Sequence, residues 1–533
     1  MPLVNGYGRR RIFLHVLKWT RPWVFWPPVA LLLLALGFSL IDFDGFHARV
    51  SAANNWILSR FDWLFSFASF AAVLLLIWVV ASPLGKVRIG GPDAKPILKR
   101  WNWFAITLCT TIAIGILFWG TAEPMFHVNS PPDFAGVDAR SDGAARFALS
   151  SLFMHWTITP YAIYTVPALA FALAHYNLGR PYSLSGPLSL IFGRVATGRG
   201  GDIIDAIGLY ALVVGVAASL GAGVMTITGG LDAIAGFGDG AFWKFLITLA
   251  IVALFVASSI SGIQRGIKYL SDINIRFFFA LCAFIFIAGP TLAIVSLGGQ
   301  GLVEYFVDFI PRSLALGERA GDPWTRDWTV FYFANWLAWA PITALFLGRI
   351  SVGYTVREFL VFNLAAPAAF GALWMTVFGG AAIEIDVATN GSLTEALNSN
   401  GPEAVIYALF SALPLAGLVA IVFVTLTFIS FVTAMDSNTH SITGVCLKQE
   451  APGGQHGQSA LFVKVFWGAL VGAVAWVMTA TTGIDGVRML SNLGGLPGLF
   501  ILIAMGAVVV ALQTVWFEEI RAARQPADEL TSS

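Results

Sequence analysis

The stretch DWTVFYFANWLAWAP, residues 327–341, has one charged residue at its start and then fourteen uncharged residues, six of them aromatic. It opens an apolar run over residues 328–348, about the 20 residues that an α-helix needs to cross the hydrocarbon core of a bilayer. Because lipid offers no hydrogen-bond partners to the backbone, a run of this kind is expected to be helical. The stretch therefore predicts a membrane-spanning helix with one strongly aromatic face.

The composition of the whole chain agrees with this reading. Of 533 residues, 57% are hydrophobic and 11% are Asp, Glu, Lys or Arg. Soluble domains carry about 25% charged residues, so this chain cannot cover the surface of a globule of its size. The net charge of +1 excludes the basic excess typical of nucleic-acid-binding proteins. Cys109, Cys282 and Cys446 lie in or beside apolar runs and indicate no disulfide framework.

The same apolar pattern recurs along the chain, and strand alternation typical of an outer-membrane barrel is absent from it. We therefore predict an all-α membrane protein with twelve transmembrane helices. The predicted spans are 23–41, 62–83, 101–121, 146–174, 203–226, 242–260, 277–298, 328–348, 358–384, 414–437, 461–481 and 496–516.

Charge in the loops orients these spans. Residues 84–100 and 175–201 are basic, whereas residues 122–142 are acidic apart from one arginine. Basic loops remain on the cytoplasmic side, so both termini are expected on the cytoplasmic side of a bacterial-type inner membrane. The basic N-terminus followed by an apolar run also fits a signal peptide, but no small-residue cleavage site follows, which favours a retained span. Within residues 299–327, apolar and acidic residues recur at helical spacing, which predicts an external amphipathic helix and loop.

Several spans contain residues that interrupt helices. Gly115 lies within the third span and Pro160 within the fourth. The run SLGAG at 219–223 lies in the fifth span, and Pro341 ends the aromatic stretch of the eighth. Such residues either allow close helix packing or mark unwound segments that bind ions and polar groups.

Aromatic residues also group away from the span ends. Trp156, Tyr161 and Tyr164 surround Pro160, and in the eighth span Trp336 and Trp339 share one helix face. Phe331, Asn335 and Trp339 form a second stripe at spacing four. Such rings either pack as core or form a box for a methylated cation, since ring faces attract an ammonium or sulfonium.

Ionisable residues within the spans are few, and each is a functional candidate. Glu123 is expected to be an interfacial acid at the end of the third span, and His155 a packing histidine. Asp436 ends the tenth span and is expected to cap a helix. The sequence shows no metal-ligand cluster, P-loop or nucleophile elbow, so it indicates no enzyme.

Five motifs resemble the betaine/carnitine/choline transporter family. They are FWGTAEPMFH (118–127), HWTITPYAIY (155–164), SGIQRGIKYLSDIN (261–274), DWTVFYFANWLAWAP (327–341) and GRISVGYTVREF (348–359). The resemblance implies two inverted five-helix repeats, spans three to seven and eight to twelve, preceded by two extra helices. The implied segments are a cytoplasmic tail 1–22, the extra helices 23–100, repeats 101–298 and 328–516, the linking segment 299–327 and a cytoplasmic tail 517–533.

The resemblance also implies a substrate site midway across the membrane. Trp156, Tyr161 and Tyr164 match the aromatic positions of the family's fourth span, and Trp336 and Trp339 match those of the eighth. The implied site is completed by Phe331, Asn335, Ile112 and Gly115. Tyr161 and Asn335 depart from the tryptophans usual there. The glycine-rich stretch of the third span is reduced to TIAIG (111–115) without an acid, which favours a zwitterion over choline.

The coupling ion is a further expectation. Sodium binds backbone and hydroxyl oxygens, and the resemblance suggests as candidates Cys109, Ile112, Ser219, Thr433, Ala434 and Arg276. Ala434 stands where sodium-coupled relatives usually have serine. Arg276 either replaces the metal charge, as in sodium-independent exchangers, or marks the cytoplasmic edge of its span.

Taken together, these features predict a secondary transporter, not an enzyme, that imports a zwitterionic quaternary ammonium or sulfonium solute such as glycine betaine, carnitine or dimethylsulfoniopropionate. Sodium-coupled symport by alternating access is the preferred mechanism. The alternatives are a sodium-independent or proton-coupled exchanger or uniporter of choline or carnitine, and a non-transporting receptor or channel. No cofactor is expected beyond sodium as the coupling ion. The expected partners are the solute and the bilayer, and the resemblance suggests a homotrimer.

Overall fold

The computed structural model describes residues 19–111, 115–238, 240–260, 264–448, 457–515 and 517–518. Within these ranges the chain is helical, and the β-type pairings are two isolated bridges. The main helices are α1 (Pro22–Ile41), α2 (Phe43–Ala81), α3 (Arg100–Thr111), α4 (Gly115–Asn129), α5 (Asp142–Trp156), α6 (Ile158–Tyr176), α7 (Ser185–Phe192), α8 (Gly198–Ala235), α9 (Ala241–Ile260), α10 (Gln264–Ala288), α11 (Thr291–Val307), α12 (Phe309–Ser313), α13 (Pro323–Ile350), α14 (Val356–Ala388), α15 (Ser392–Asn400), α16 (Val405–Ser411), α17 (Ala416–Cys446), α18 (Gly457–Thr481) and α19 (Gly483–Thr514).

Ten of the described helices are long and apolar enough to cross a membrane, and twelve spans result if two bent helix pairs each count as one. One pair is α3 with α4, which corresponds to the predicted third span and bends by 57°. The other is Thr291–Val307 with Phe309–Arg319, bent by 71°. The structure thus confirms an all-helical, multi-pass membrane protein, while the layout of twelve spans in two inverted repeats stays a prediction.

The predicted seventh span, 277–298, is wrong at its end. Helix α10 stops at Ala288, and a new helix begins at Thr291 after Gly289 and Pro290. Proline lacks the N–H that would continue the helical ladder, so the apolar run conceals a turn. The helix predicted within residues 299–327 begins eight residues earlier, at Thr291, and the chain turns sharply after Val307.

The fourth predicted span is broken, and the break lies before its proline. Thr157, with φ −122° and ψ −115°, separates α5 from α6. Pro160 then lies in the first turn of α6, where a helix does not need its missing N–H. The break leaves Trp156 at the end of one helix and Tyr161 and Tyr164 near the start of the next.

Two other Gly- and Pro-containing stretches are not interrupted. The run 219–223 lies within the continuous helix α8, and Pro341 lies within α13. Gly215 and Gly221 in α8 allow close packing, since a Cβ on Gly215 would lie 2.9 Å from that of Ala338. In these stretches glycine therefore serves packing, not an unwound binding segment.

Helix α13 is held at the centre of the bundle by α6, α8 and α19. Its contact with α19 depends on glycine: a Cβ on Gly495 would lie 2.5 Å from the carbonyl oxygen of Ala334, and one on Gly498 would overlap the carbonyl of Leu337. Small residues at a helix crossing let two backbones approach closely. The aromatic face of α13 is thereby fixed relative to its neighbours.

We expect Gly498→Ala to lower the free energy of unfolding by about 1–3 kcal/mol, the usual cost of overpacking a close contact. Gly37→Ala in α1 is the matched control, because its surroundings are open and alanine favours a helix. Thermal unfolding of both variants in detergent measures the difference. Equal melting temperatures would show that the α13–α19 crossing tolerates a methyl group.

Candidate functional site

The aromatic rings predicted from two distant segments converge in the structure. The ring centroid of Trp336 lies 5.5 Å from that of Trp156, 5.7 Å from Tyr161 and 5.4 Å from Tyr164. All four side chains are buried. The broken α5–α6 segment and α13 therefore meet through their rings, as the sequence predicts.

A cavity of about 30 Å³ lies beside this ring cluster. Its lining combines residues of both halves of the chain, and none of them is acidic or basic. They are Thr110, Thr111, Gly115, Trp156, Tyr164, Ser219, Asn335, Trp336, Trp339 and Ala434. A volume of this order holds roughly one water molecule. A methylated ammonium group is larger, so the rings must move apart before such a group enters.

Two polar contacts orient the α13 side of the cavity. The indole N–H of Trp339 donates to the hydroxyl oxygen of Ser219 at 3.1 Å. The Ser491 hydroxyl donates to the amide oxygen of Asn335 at 3.0 Å. Asn335 lines the cavity, where its amide offers a ligand both N–H donors and an acceptor oxygen.

Gly115, the first residue of α4, permits the closest contact at the site. A Cβ there would lie 2.6 Å from Cη2 of Trp156, so no larger residue fits beside the ring. Thr110 and Thr111, which end α3, line the same cavity. Ile112, a predicted site residue, lies outside the described residues.

Two predicted site residues do not line the cavity. Tyr161 is not among the lining residues, but its ring contacts that of Trp336, which is. Phe331 belongs to a second aromatic cluster with Trp119 and Trp328, one helical turn from Asn335. This second cluster surrounds a guanidinium: the Cζ atom of Arg488 lies 4.4, 5.6 and 5.7 Å from the ring centroids of Trp328, Phe331 and Trp119. Phe331 thus lies outside the lining of this cavity, and its assignment to the substrate site stays a prediction.

Some of the predicted ion-site residues line the cavity and others do not. Ser219 and Ala434 line the cavity, and the Thr433 hydroxyl donates within its own helix to the carbonyl of Ser430 at 2.9 Å. Cys109 is buried directly before Thr110 on α3, where its sulfur pairs with the carbonyl of Ser271 and the amide of Asn274.

Arg276 is not part of this site. Its side chain is 69% exposed and pairs with Asp272, one turn earlier on α10, at 3.0 Å. Arg276 therefore lies on the exposed face of its helix. This agrees with the second of its two predicted roles and not with a place near an ion pocket.

A hydroxyl pair that the sequence analysis missed joins α3 to α17 below the cavity. Thr110 donates to the Ser437 hydroxyl at 3.1 Å, and Ser437 donates to the carbonyl of Thr433 at 3.0 Å. Ser437 follows Asp436 in the run TAMDSNTHS, whose density of hydroxyl residues was the available signal. Asp436 itself is no helix cap, because α17 continues to Cys446.

Glu123 is not interfacial, contrary to prediction, since its side chain is 0% exposed. Its Oε1 accepts from Nδ1 of His155 at 2.6 Å and from Nε2 of His127 at 3.3 Å, and its Oε2 accepts from the indole N–H of Trp156 at 2.9 Å. His155 pairs through Nε2 with the Thr329 hydroxyl at 2.9 Å. Three N–H donors thus replace the water that an ionised carboxylate loses on burial.

The ligand atoms of Glu123, His127 and His155 lie within 4.8 Å of one another, close enough to suggest a metal site. The hydrogen bonds do not fit one. Trp324 donates its indole N–H to Nδ1 of His127 at 3.3 Å, which places the ring proton on Nε2 and leaves that atom no lone pair. The two histidines are therefore hydrogen-bond donors to the Glu123 carboxylate and not metal ligands.

Comparison with known proteins shows the family. The family model of BCCT, the betaine/carnitine/choline family transporters, matches residues 23–516. The chain belongs to the betaine/carnitine/choline transporter family. It is 31% identical to the ectoine/hydroxyectoine transporter of Virgibacillus pantothenticus, over 90% of this chain and 93% of that protein. It is 33% identical to glycine betaine transporter 1 of Vibrio parahaemolyticus, over 84% and 85% of the two chains.

A third relative, the glycine betaine transporter OpuD of Bacillus subtilis, is 31% identical over 90% of this chain and 92% of its own length. These relatives are transporters and not enzymes. Membership of the betaine/carnitine/choline transporter family makes this chain a multi-pass membrane transporter of small molecules.

We expect Gly115→Ala to push the Trp156 indole away by about 1 Å, because an ordinary carbon–carbon contact needs about 3.5–4.0 Å. A cryo-electron-microscopy structure of the variant in a lipid nanodisc measures the shift. Gly417→Ala on α17, where a Cβ meets open space, should leave every ring in place. An unmoved Trp156 would mean that α4 yields instead of the ring.

Proposed function

We propose that this transporter imports a zwitterionic quaternary ammonium or sulfonium solute of the glycine betaine, carnitine or dimethylsulfoniopropionate class. The observation that carries the proposal is the cavity shared by Trp156, Tyr164, Trp336 and Trp339, whose lining includes no carboxylate. Ring faces attract a methylated cation that cannot hydrogen-bond. A solute that brings its own carboxylate needs no acidic residue beside its positive charge.

The segment where α3 ends and α4 begins suits the carboxylate of such a solute. Thr110 and Thr111 end α3, Gly115 begins α4, and all three line the cavity beside the rings. Interrupted helices in transporters expose backbone amides and hydroxyls to anionic groups. The rings and this segment together match the two charges of a betaine.

The amide of Asn335 supports a second solute class. Asn335 lines the cavity, and its amide carries two N–H donors. Such donors favour a solute with an additional acceptor near its cation, such as a hydroxyl group. The similarity to an ectoine/hydroxyectoine transporter makes ectoine and hydroxyectoine the second candidates.

For coupling we propose sodium symport by alternating access. The hydroxyls of Thr110 and Ser437 and the carbonyl of Thr433 are mutually close between α3 and α17, and oxygen donors of this type suit a hard cation. We place both termini in the cytoplasm and expect a homotrimer, following the resemblance within the family.

Proteoliposomes should accumulate labelled glycine betaine or dimethylsulfoniopropionate when an inward sodium gradient is imposed. Thermal unfolding with a panel of onium solutes and ectoine, with and without sodium, identifies the ligand, because a solute that binds the folded form raises its stability. Uptake that ignores sodium but accelerates with internal substrate would replace symport by exchange. No stabilisation by any onium solute would contradict the proposed substrate class.

We expect Trp339→Ala to weaken onium binding by about 1–2 kcal/mol, the contribution of a desolvated cation–π contact. Isothermal titration of the purified protein measures the change. Trp78→Ala is the matched control, because Trp78 is 41% exposed on α2 and lies outside the cavity. Unchanged affinity in Trp339→Ala would remove this ring from the site.

A further inference from the structure

The carboxylate of Glu123 is buried and is joined to the proposed cation box by one hydrogen bond. It lies on α4, and its hydrogen bond to the indole N–H of Trp156 crosses to the end of α5. Trp156 in turn lines the cavity between Gly115 and Trp336. One side of the indole therefore meets a negative charge while its ring contacts the place where a solute would bind.

The geometry of the carboxylate is determined by its other partners. His127, one turn further along α4, and His155, beside Trp156 on α5, both donate to the same oxygen, Oε1. The other oxygen, Oε2, accepts the hydrogen bond from Trp156. The arrangement resists rotation of the carboxylate, because any turn breaks charge-assisted hydrogen bonds that burial makes costly to lose.

Two physical effects on the ring follow from this contact. The first is position, since the indole is fixed between the Glu123 oxygen and the α-carbon of Gly115. The second is electronic. A carboxylate that accepts the indole N–H polarises the ring, because hydrogen bonds in a low-dielectric interior polarise the groups they join. Electron density then increases at the ring face, which is the part of the indole that attracts a cation.

We propose that Glu123 is a positioning and specificity-determining residue, which holds the Trp156 ring and strengthens the attraction of its face for a methylated cation. The inference rests on the proposed onium function and deepens it. Glu123 does not contact the solute itself and acts through the indole of Trp156.

The electronic effect discriminates between ligands by charge. Neutralising Glu123 weakens the attraction of the Trp156 ring face for a positively charged head group and spares an uncharged group of the same shape.

The test compares glycine betaine with 3,3-dimethylbutyrate, its carbon isostere, which keeps the carboxylate and the three methyl groups but has no positive charge. We expect Glu123→Gln to lower the affinity for glycine betaine by about tenfold and to leave that for the isostere within about twofold. Glu395→Gln, on the exposed side of α15, is the matched control and should change neither affinity.

A double-mutant cycle assigns the effect to the ring. In a Trp156→Phe background, which lacks the indole N–H, Glu123→Gln should cause little further loss of glycine betaine binding. If Glu123→Gln does not fold, Glu123→Asp keeps the charge but withdraws it from the indole, and a smaller loss confined to glycine betaine is expected.

Equal losses for both ligands would overturn the inference, because they would mean that the ring had simply been displaced. Unchanged binding of glycine betaine in Glu123→Gln would overturn it too. Failure of the unmodified protein to bind any onium solute would instead contradict the proposed function.

Discussion

Contact between aromatic rings of two separate helical segments is the interaction on which the site depends. Trp336 on α13 meets Trp156, Tyr161 and Tyr164 from both sides of the α5–α6 break. Edge-to-face contacts of this kind are directional, so they determine the angle between elements as well as their distance. The break at Thr157 is what allows rings from the end of one helix and the start of the next to reach the same neighbour.

The surrounding structure supports this ring cluster by two different means. Glycines remove side-chain volume where backbones or rings must approach, as Gly498 does against Leu337 and Gly115 against Trp156. Hydrogen bonds then orient the polar atoms of the aromatic residues, with Ser219 accepting from Trp339. Removing volume and satisfying indole N–H groups are separate requirements, and residues from distant parts of the sequence meet them.

Much of the fold could be predicted because it depends on properties of single segments. Apolar length located most of the spanning helices, and spacing along α13 placed Trp336 and Trp339 on one face. The turn at Gly289–Pro290 was hidden, since the apolar run continues across it. Composition alone did not separate the packing glycines of α8 from Gly115, which begins α4.

Contacts between distant segments could not be predicted. Glu123 and His155 are 32 residues apart, and nothing in either motif indicates that they form a hydrogen bond. Phe331 shares a helical stripe with Asn335, yet it belongs to the cluster around Arg488, because one turn along a helix moves a side chain about 5 Å. Arg276 was ambiguous for a similar reason, since the direction in which a helix face points depends on its neighbours.

The small size of the cavity has a consequence for the rate and strength of solute capture. Because Trp336 contacts the other three rings, we expect a solute at the proposed site to bind only the fraction of molecules in which that indole has moved aside. The apparent dissociation constant equals the intrinsic one divided by that fraction. A smaller side chain at position 336 would remove one ring face that attracts the cation, and it would also free space for the solute. The first change would weaken binding, and the second would strengthen it.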